Sequence, residues 1–109
     1  MDIEDIRQAI KNEASIEYTS HCQKRMIERN ISRADFRNCI LYGEIIEEYP
    51  LEEGNSTEKS FPSCLILGTK EDGVKIHIVV GYNGVKVLMI SACYPDNERW
   101  CDDLRTRRT

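Results

Sequence analysis

No stretch of this chain comes near the roughly 18 consecutive apolar residues that a membrane-spanning helix needs. A helical membrane protein is therefore not expected. The opening, MDIEDIRQAIKNE, is acidic and amphipathic and lacks the pattern of a signal or transit peptide, so a cytoplasmic location is the expectation. CxxC pairs are absent. Neither of the two histidines, His21 and His77, has a cysteine or histidine at a usual ligand spacing. No cofactor or metal is expected on that pattern. A metal-dependent enzyme or metal-binding domain remains a third alternative without a spacing to support it. Repeats, low-complexity tracts and linker-like stretches are also missing, which leaves a single domain over 1–109.

What is present suits a small soluble globular domain. Of 109 residues, 40% are hydrophobic and 31% charged, enough for a modest core and far from a disordered composition. Five cysteines, an odd number, include four (Cys22, Cys39, Cys64 and Cys93) inside apolar patterns, where a thiol behaves as a small hydrophobe. That usage fits a reducing compartment.

The hydrophobic period changes along the chain. Ile3, Ile6 and Ile10 mark an amphipathic helix over about 2–13. A second helix is expected from about Ser20 to Arg29, capped by Thr19 or Ser20. A third begins at ISRADF, where Ser32 and Asp35 resemble a capping box and Ile31 and Phe36 a hydrophobic staple, with Gly43 as the residue after its end. Strand patterns follow. EIIEEY reads as an edge strand, LEEGNSTEKSFP as a polar loop, and SCLILGT, VKIHIVVGY and VKVLMISACY as three strands joined by the turn KEDG and a two-residue NG hairpin. PDNERWCDDLRTRRT should form a turn and a short helix or arm, packed by Trp100. The expectation is an α+β fold with N-terminal helices on a four-stranded antiparallel meander. In VKIHIVVGY the residues Val74, Ile76, Ile78, Val80 and Tyr82 should face the core, and His77 the opposite, more open face.

Net charge is −4, which argues mildly against nucleic-acid binding, but the charge is segregated. Residues 20–43 hold Lys24, Arg25, Arg29, Arg33 and Arg37 against Glu28 and Asp35, while residues 44–58 hold six glutamates and no base. The tail LRTRRT adds three arginines. A dipolar molecule can bind a polyanion at its basic patch despite an acidic total. Within SHCQKRMIERN, His21, Arg25 and Arg29 fall at intervals of four and form one slowly drifting helical row.

HCQKRMIERNIS, followed by GEIIEEYP, FPSCLILG, KIHIVV and YPDNERW in order, resembles a small bacterial domain family of unassigned function that opens on H-x-x-x-R-M-x-E-R-G-I-S. The resemblance covers roughly residues 15–108, with Asn30 where that family usually has glycine. More distantly, the helix-then-meander layout is similar to that of the BrnT and RelE/ParE-like toxins of bacterial toxin–antitoxin pairs. That likeness implies a RelE/BrnT-like fold, cleavage of RNA, and an antitoxin-like protein partner.

Metal-free RNA cleavage needs a base for the 2′-hydroxyl, cationic donors for the phosphate and an acid for the leaving oxygen. His21 and His77 suit proton transfer, Arg25 suits the phosphate, and Tyr94 offers a stacking face or a hydroxyl donor. These four are the candidate catalytic residues; Lys24, Arg29, Arg105 and Arg107 are the candidate RNA-binding ones. Each has a bland alternative. His21 can bond the adjacent loop, His77 can be structural, Arg25 can pair with Glu28, Glu44 or Glu47, and Tyr94 can anchor the C-terminal segment. The competing function is a non-catalytic interaction domain of the same fold. It would use the EIIEEY edge and its acidic surroundings to receive a strand or a basic segment, with a homodimer as one outcome.

Overall fold

In the computed structural model, described over residues 1–49 and 62–108, the chain is an α+β domain of three helices and a five-stranded mixed sheet. Helix α1 spans Ile3–Ala9, α2 Ser20–Arg29 and α3 Arg33–Tyr42. The strands are β1 Ile16–Tyr18, β2 Glu44–Tyr49, β3 Ser63–Thr69, β4 Lys75–Tyr82 and β5 Val87–Cys93, in the spatial order β1-β5-β4-β3-β2. β2 through β5 form the expected antiparallel meander. The four-stranded expectation is corrected by β1, which joins parallel to β5, with Ile16 opposite Val87 and Tyr18 opposite Met89. Three residues are too few to show a period. α1 is also shorter than expected: it stops at Ala9, and a 3-10 turn at Glu13–Ser15, capped by Asn12, leads into β1. Most of the expected polar loop, 51–61, lies outside the described residues.

The helix ends follow their local chemistry. Thr19 caps α2, its side chain accepting from the Cys22 amide at 3.0 Å. Asn30 closes α2 at φ 54°, a left-handed position that Asn tolerates. Ser32 and Asp35 form the capping box of α3, and Ile31 and Phe36 are both buried. Gly43 departs from expectation: its backbone is extended, not left-handed. Glycine is needed there because a Cβ would run into the carbonyl oxygens of Cys39 and Leu67. Arg7 of α1 covers the end of α3 by donating to the carbonyls of Ile40 (2.8 Å) and Gly43 (2.9 Å).

All three helices cover one face of the sheet. Ile6, Cys22, Phe36, Cys39 and Ile40 join Ile66, Ile76, Ile78, Val80, Val87, Met89 and Ala92 in one core cluster. Met89 and Ala92 both reach that core although they are three residues apart. A bulge makes this possible: Val79 pairs with Ser91 and Val80 with Met89, which leaves Ile90 as the extra residue. The two-residue hairpin is also corrected. Tyr82 pairs with Val87, so the loop has four residues, and the Asn83 side chain accepts from the amides of Val85 and Lys86.

The opposite face carries Leu65, Leu67 and His77, all buried. The expectation that His77 lies on that face holds, but the face is not open around it. The C-terminal segment 95–108 folds over it as a strap without a helix, pinned by a bridge between Trp100 and Arg107.

Candidate functional site

Helix α2 begins where β1 leaves β5. The Thr19 amide donates to the Met89 carbonyl (3.0 Å), and its hydroxyl to the Ile90 carbonyl (3.2 Å). Ten residues on, Arg29 Nη1 donates to the Ala92 carbonyl (2.5 Å). The helix thus lies along the part of the β5 edge that β1 leaves unpaired. Cys22, buried, and Met26, packed on the core cluster, hold it there. The row His21–Arg25–Arg29 drifts across the helix surface because 3.6 does not divide four evenly. His21 is exposed and bonds no described residue. Lys24 is exposed too. Arg25 pairs with Glu28 (2.8 Å), and Arg29 sinks half-buried onto the sheet edge.

His77 sits across the β4–β5 ladder from Cys93, on the face away from the helices. Its ring meets Trp100 edge-on at 4.6 Å, and its Nε2 lies 2.7 Å from the Leu104 carbonyl. A carbonyl only accepts, so Nε2 carries the proton. Burial pushes the ring's pKa below its ordinary value, more strongly than the Leu104 bond and Glu47 push it up. The neutral ring therefore keeps its lone pair on Nδ1. Beside it, burial raises the Cys93 thiol, against the charges of Arg29 and Arg99.

The structure does not bring the two histidines together. Thr19 is bonded at Met89 and Ile90, whereas His77 pairs with Cys93, roughly 10 Å further along the sheet and on the far face. Arg29, not His21, is the member of the row that reaches the His77 end. Tyr94 goes elsewhere again. Its hydroxyl donates to the Arg29 carbonyl (2.6 Å) and accepts from Lys70 Nζ (3.1 Å), which ties the end of α2 to the β3–β4 turn. Lys70 is itself buried. Asp35 is close by. Burial pushes its carboxyl up, but the amides of Ser32 and Glu71 and the Lys70 charge hold it below its usual value.

Arg105 and Arg107 are taken up by the strap's own attachment. Arg107 binds Glu47 through Nε (2.5 Å) and Nη2 (2.9 Å) and lies 4.6 Å over the Trp100 ring; Arg105 pairs with Glu44 (3.4 Å). The N-terminal amine pairs with Glu48. The glutamates of β2 are thereby neutralised within the domain, and β2 is less of an acidic bait than its composition suggests.

A second basic feature escaped the sequence. Between β1 and α3 lies a cavity of about 310 Å³, lined by Ile10, Ile16, Met89, Tyr18, Arg33 and Arg37 among others. Sequence reasoning counted Arg33 and Arg37 only as local charge. Their i,i+4 spacing on an amphipathic helix was the available signal. Among the described residues no group of three or more His, Cys, Asp and Glu is placed to hold a metal ion. No helix in them is long and apolar enough to cross a membrane.

Over residues 18–94 the chain matches the model of a family described as a domain of unknown function, DUF4258, and it belongs to that family. The matched segment takes in His21, Arg25, Arg33, Arg37, His77 and Tyr94 and ends before the strap. No curated protein and no solved structure matches the chain.

Proposed function

We propose that this domain acts on RNA as a toxin-like endoribonuclease of a bacterial toxin–antitoxin pair, similar in layout to the BrnT and RelE/ParE-like toxins. It would cut by metal-independent acid and base transfer and be held by an antitoxin-like protein. One observation carries the reading. Arg29 binds the carbonyl of Ala92, next to Cys93, which pairs directly with His77. A guanidinium thus reaches the strand edge one residue from Cys93, the cross-strand partner of His77, although the imidazole itself turns to the strap on the other face. In this reading Arg29 and Arg25 hold the phosphate and Nδ1 of His77 takes the 2′-hydroxyl proton; the 2′-oxygen bonds to phosphorus as the P–O5′ bond breaks, and the imidazolium gives the proton to the leaving 5′-oxygen, which leaves a 2′,3′-cyclic phosphate. Lys24 and His21 extend the basic path along α2. Tyr94 positions Arg29 through the end of the helix. The strap must lift from His77 before RNA can reach it.

The test is expression in a bacterium, wild type beside His77→Ala and Arg25→Ala, with growth and total RNA followed. Growth arrest with RNA fragments, lost in both variants at equal protein level, is the expected result. Intact RNA and normal growth with the wild type, and also with Trp100→Ala to loosen the strap, would overturn it.

A second reading, a non-catalytic interaction domain, is favoured by the closure of His77, 2% exposed with its Nε2 spent on the strap. It expects His77→Ala to leave partner binding unchanged.

A further inference from the structure

The cavity between β1 and α3 has features that the proposed RNA chemistry does not use. Its floor is apolar, made by Ile10, Ile16 and Met89. Its rim carries two guanidinium groups one helical turn apart, Arg33 and Arg37, and one carboxylate, Glu13. Arg33 lies 4.8 Å over the Tyr18 ring, which also meets the Phe36 ring in a T-shaped arrangement at 5.7 Å. This stacking holds the guanidinium plane in place and leaves its N–H groups free, because Arg33 has no carboxylate partner among the described residues. Arg37 has none either. Arg29 and Arg99 share this lack of a carboxylate among the described residues, whereas Arg7, Arg25, Arg105, Arg107 and Arg108 all pair with one; what sets Arg33 and Arg37 apart is that both line one cavity with an apolar floor. Arg33 and Ala34 also occupy the first turn of α3, at the positive end of its dipole.

We propose that this cavity is a binding site for a small anion carrying a flat apolar group, a carboxylate or a phosphate monoester. The anionic end lies between Arg33 and Arg37, where a planar fork can donate two hydrogen bonds to two oxygens. The flat body enters over Ile16 and Met89, beside the Tyr18–Arg33 stack. Glu13 opposes the anion weakly and accepts from any N–H that the body presents. The volume, about 310 Å³, is at the lower end of what small-ligand pockets offer, so the ligand is a one- or two-ring compound. The apolar floor excludes a bare inorganic ion as the preferred occupant, and the two guanidinium groups exclude a neutral ring system.

The experiment is a titration of the full chain followed by backbone amide shifts, with four probes: 2-naphthyl phosphate, 2-naphthoate, 2-naphthol and inorganic phosphate. Saturable shifts confined to 10–18, 33–37 and 89 are expected with one or both of the first two, and the tighter of them identifies the head group. Naphthol and inorganic phosphate should each bind at least tenfold more weakly. The Arg33→Ala/Arg37→Ala double variant should lose at least tenfold. Both side chains are exposed, so its fold should survive. Ala34→Trp should block the cavity with both arginines in place. No saturable binding, binding as tight by naphthol, or affinity unchanged in the folded double variant would each overturn the assignment.

Discussion

The two faces of the sheet are covered by different means. One is sealed by three helices whose apolar side chains form a continuous cluster with alternate residues of β3, β4 and β5. The other is closed at the His77 end by a strap without regular structure. That strap is held by one tryptophan, one imidazole–carbonyl bond and two exposed arginine–glutamate pairs. The first kind of cover draws on buried area and resists everything short of unfolding. The second depends on a few polar contacts, which pH and salt reach. A site beneath the second cover can be opened without melting the domain; a site beneath the first cannot.

The largest effect should come from breaking the helical cover. Phe36 is fully buried, and Phe36→Ala should cost about 3–5 kcal/mol in denaturant unfolding. Trp100→Ala should act locally instead. It uncovers His77, so the imidazole becomes reactive to modification, while the melting temperature falls by clearly less than for Phe36→Ala. Equal losses in the two variants would show that strap and core unfold as one unit, and the contrast between the faces would fail.

Acid should separate the faces further. The pKa of His77 is depressed in the folded state from an ordinary 6.5, so the unfolded or strap-open form binds the proton more readily. The contribution of His77 to closure is therefore complete above pH 6.5 and is lost as pH falls toward the folded value. The Arg107 pair lowers Glu47 from an ordinary 4.5, so that group weakens the strap only at still lower pH. Trp100 is the only tryptophan and reports on the strap directly. Its fluorescence should shift toward that of an exposed indole on acidification below pH 6.5. In His77→Gln the upper part of this transition should vanish. A pH profile identical in the variant would remove His77 from the closure.

The unequal legibility of the two faces has the same origin. Helices α2 and α3 were readable because Thr19, Ser32 and Asp35 are capping residues followed by a periodic apolar face, and β4 because Ile76, Ile78 and Val80 alternate. The strap has no period. Trp100 signalled packing, but the partner it covers, 23 positions earlier, is set only by the sheet register. β1 was missed because three residues cannot show alternation. His21 and His77 were candidates because histidine suits proton transfer, and residue type says nothing about which face of a sheet a residue occupies. Arg33 and Arg37 looked like solvated charge until β1 and α3 enclosed a space between them. The tail arginines looked available until Glu44 and Glu47 proved to be their partners.

The smallest effect is the most discriminating. Arg107→Ala removes an exposed ion pair and a cation–π contact, together worth about 0.5–1.5 kcal/mol. The melting temperature of the whole domain should barely move, because the helical face is untouched. The strap, however, is left with Trp100, the His77–Leu104 bond and the Arg105–Glu44 pair. A loss of 1.4 kcal/mol is tenfold in an equilibrium, so the open fraction should rise by up to about tenfold. Amide exchange at Trp100 and Arg108, whose amides bond the carbonyls of Asp96 and Arg99 within the strap, follows that opening as the released strap loses its internal bonds. Salt should raise exchange in the wild type, where the pair is screened, and act more weakly in the variant. Exchange that is equally fast in both chains at low salt would mean that Trp100 and His77 hold the strap without the ion pair. The second face would then resemble the first more closely than its charges suggest.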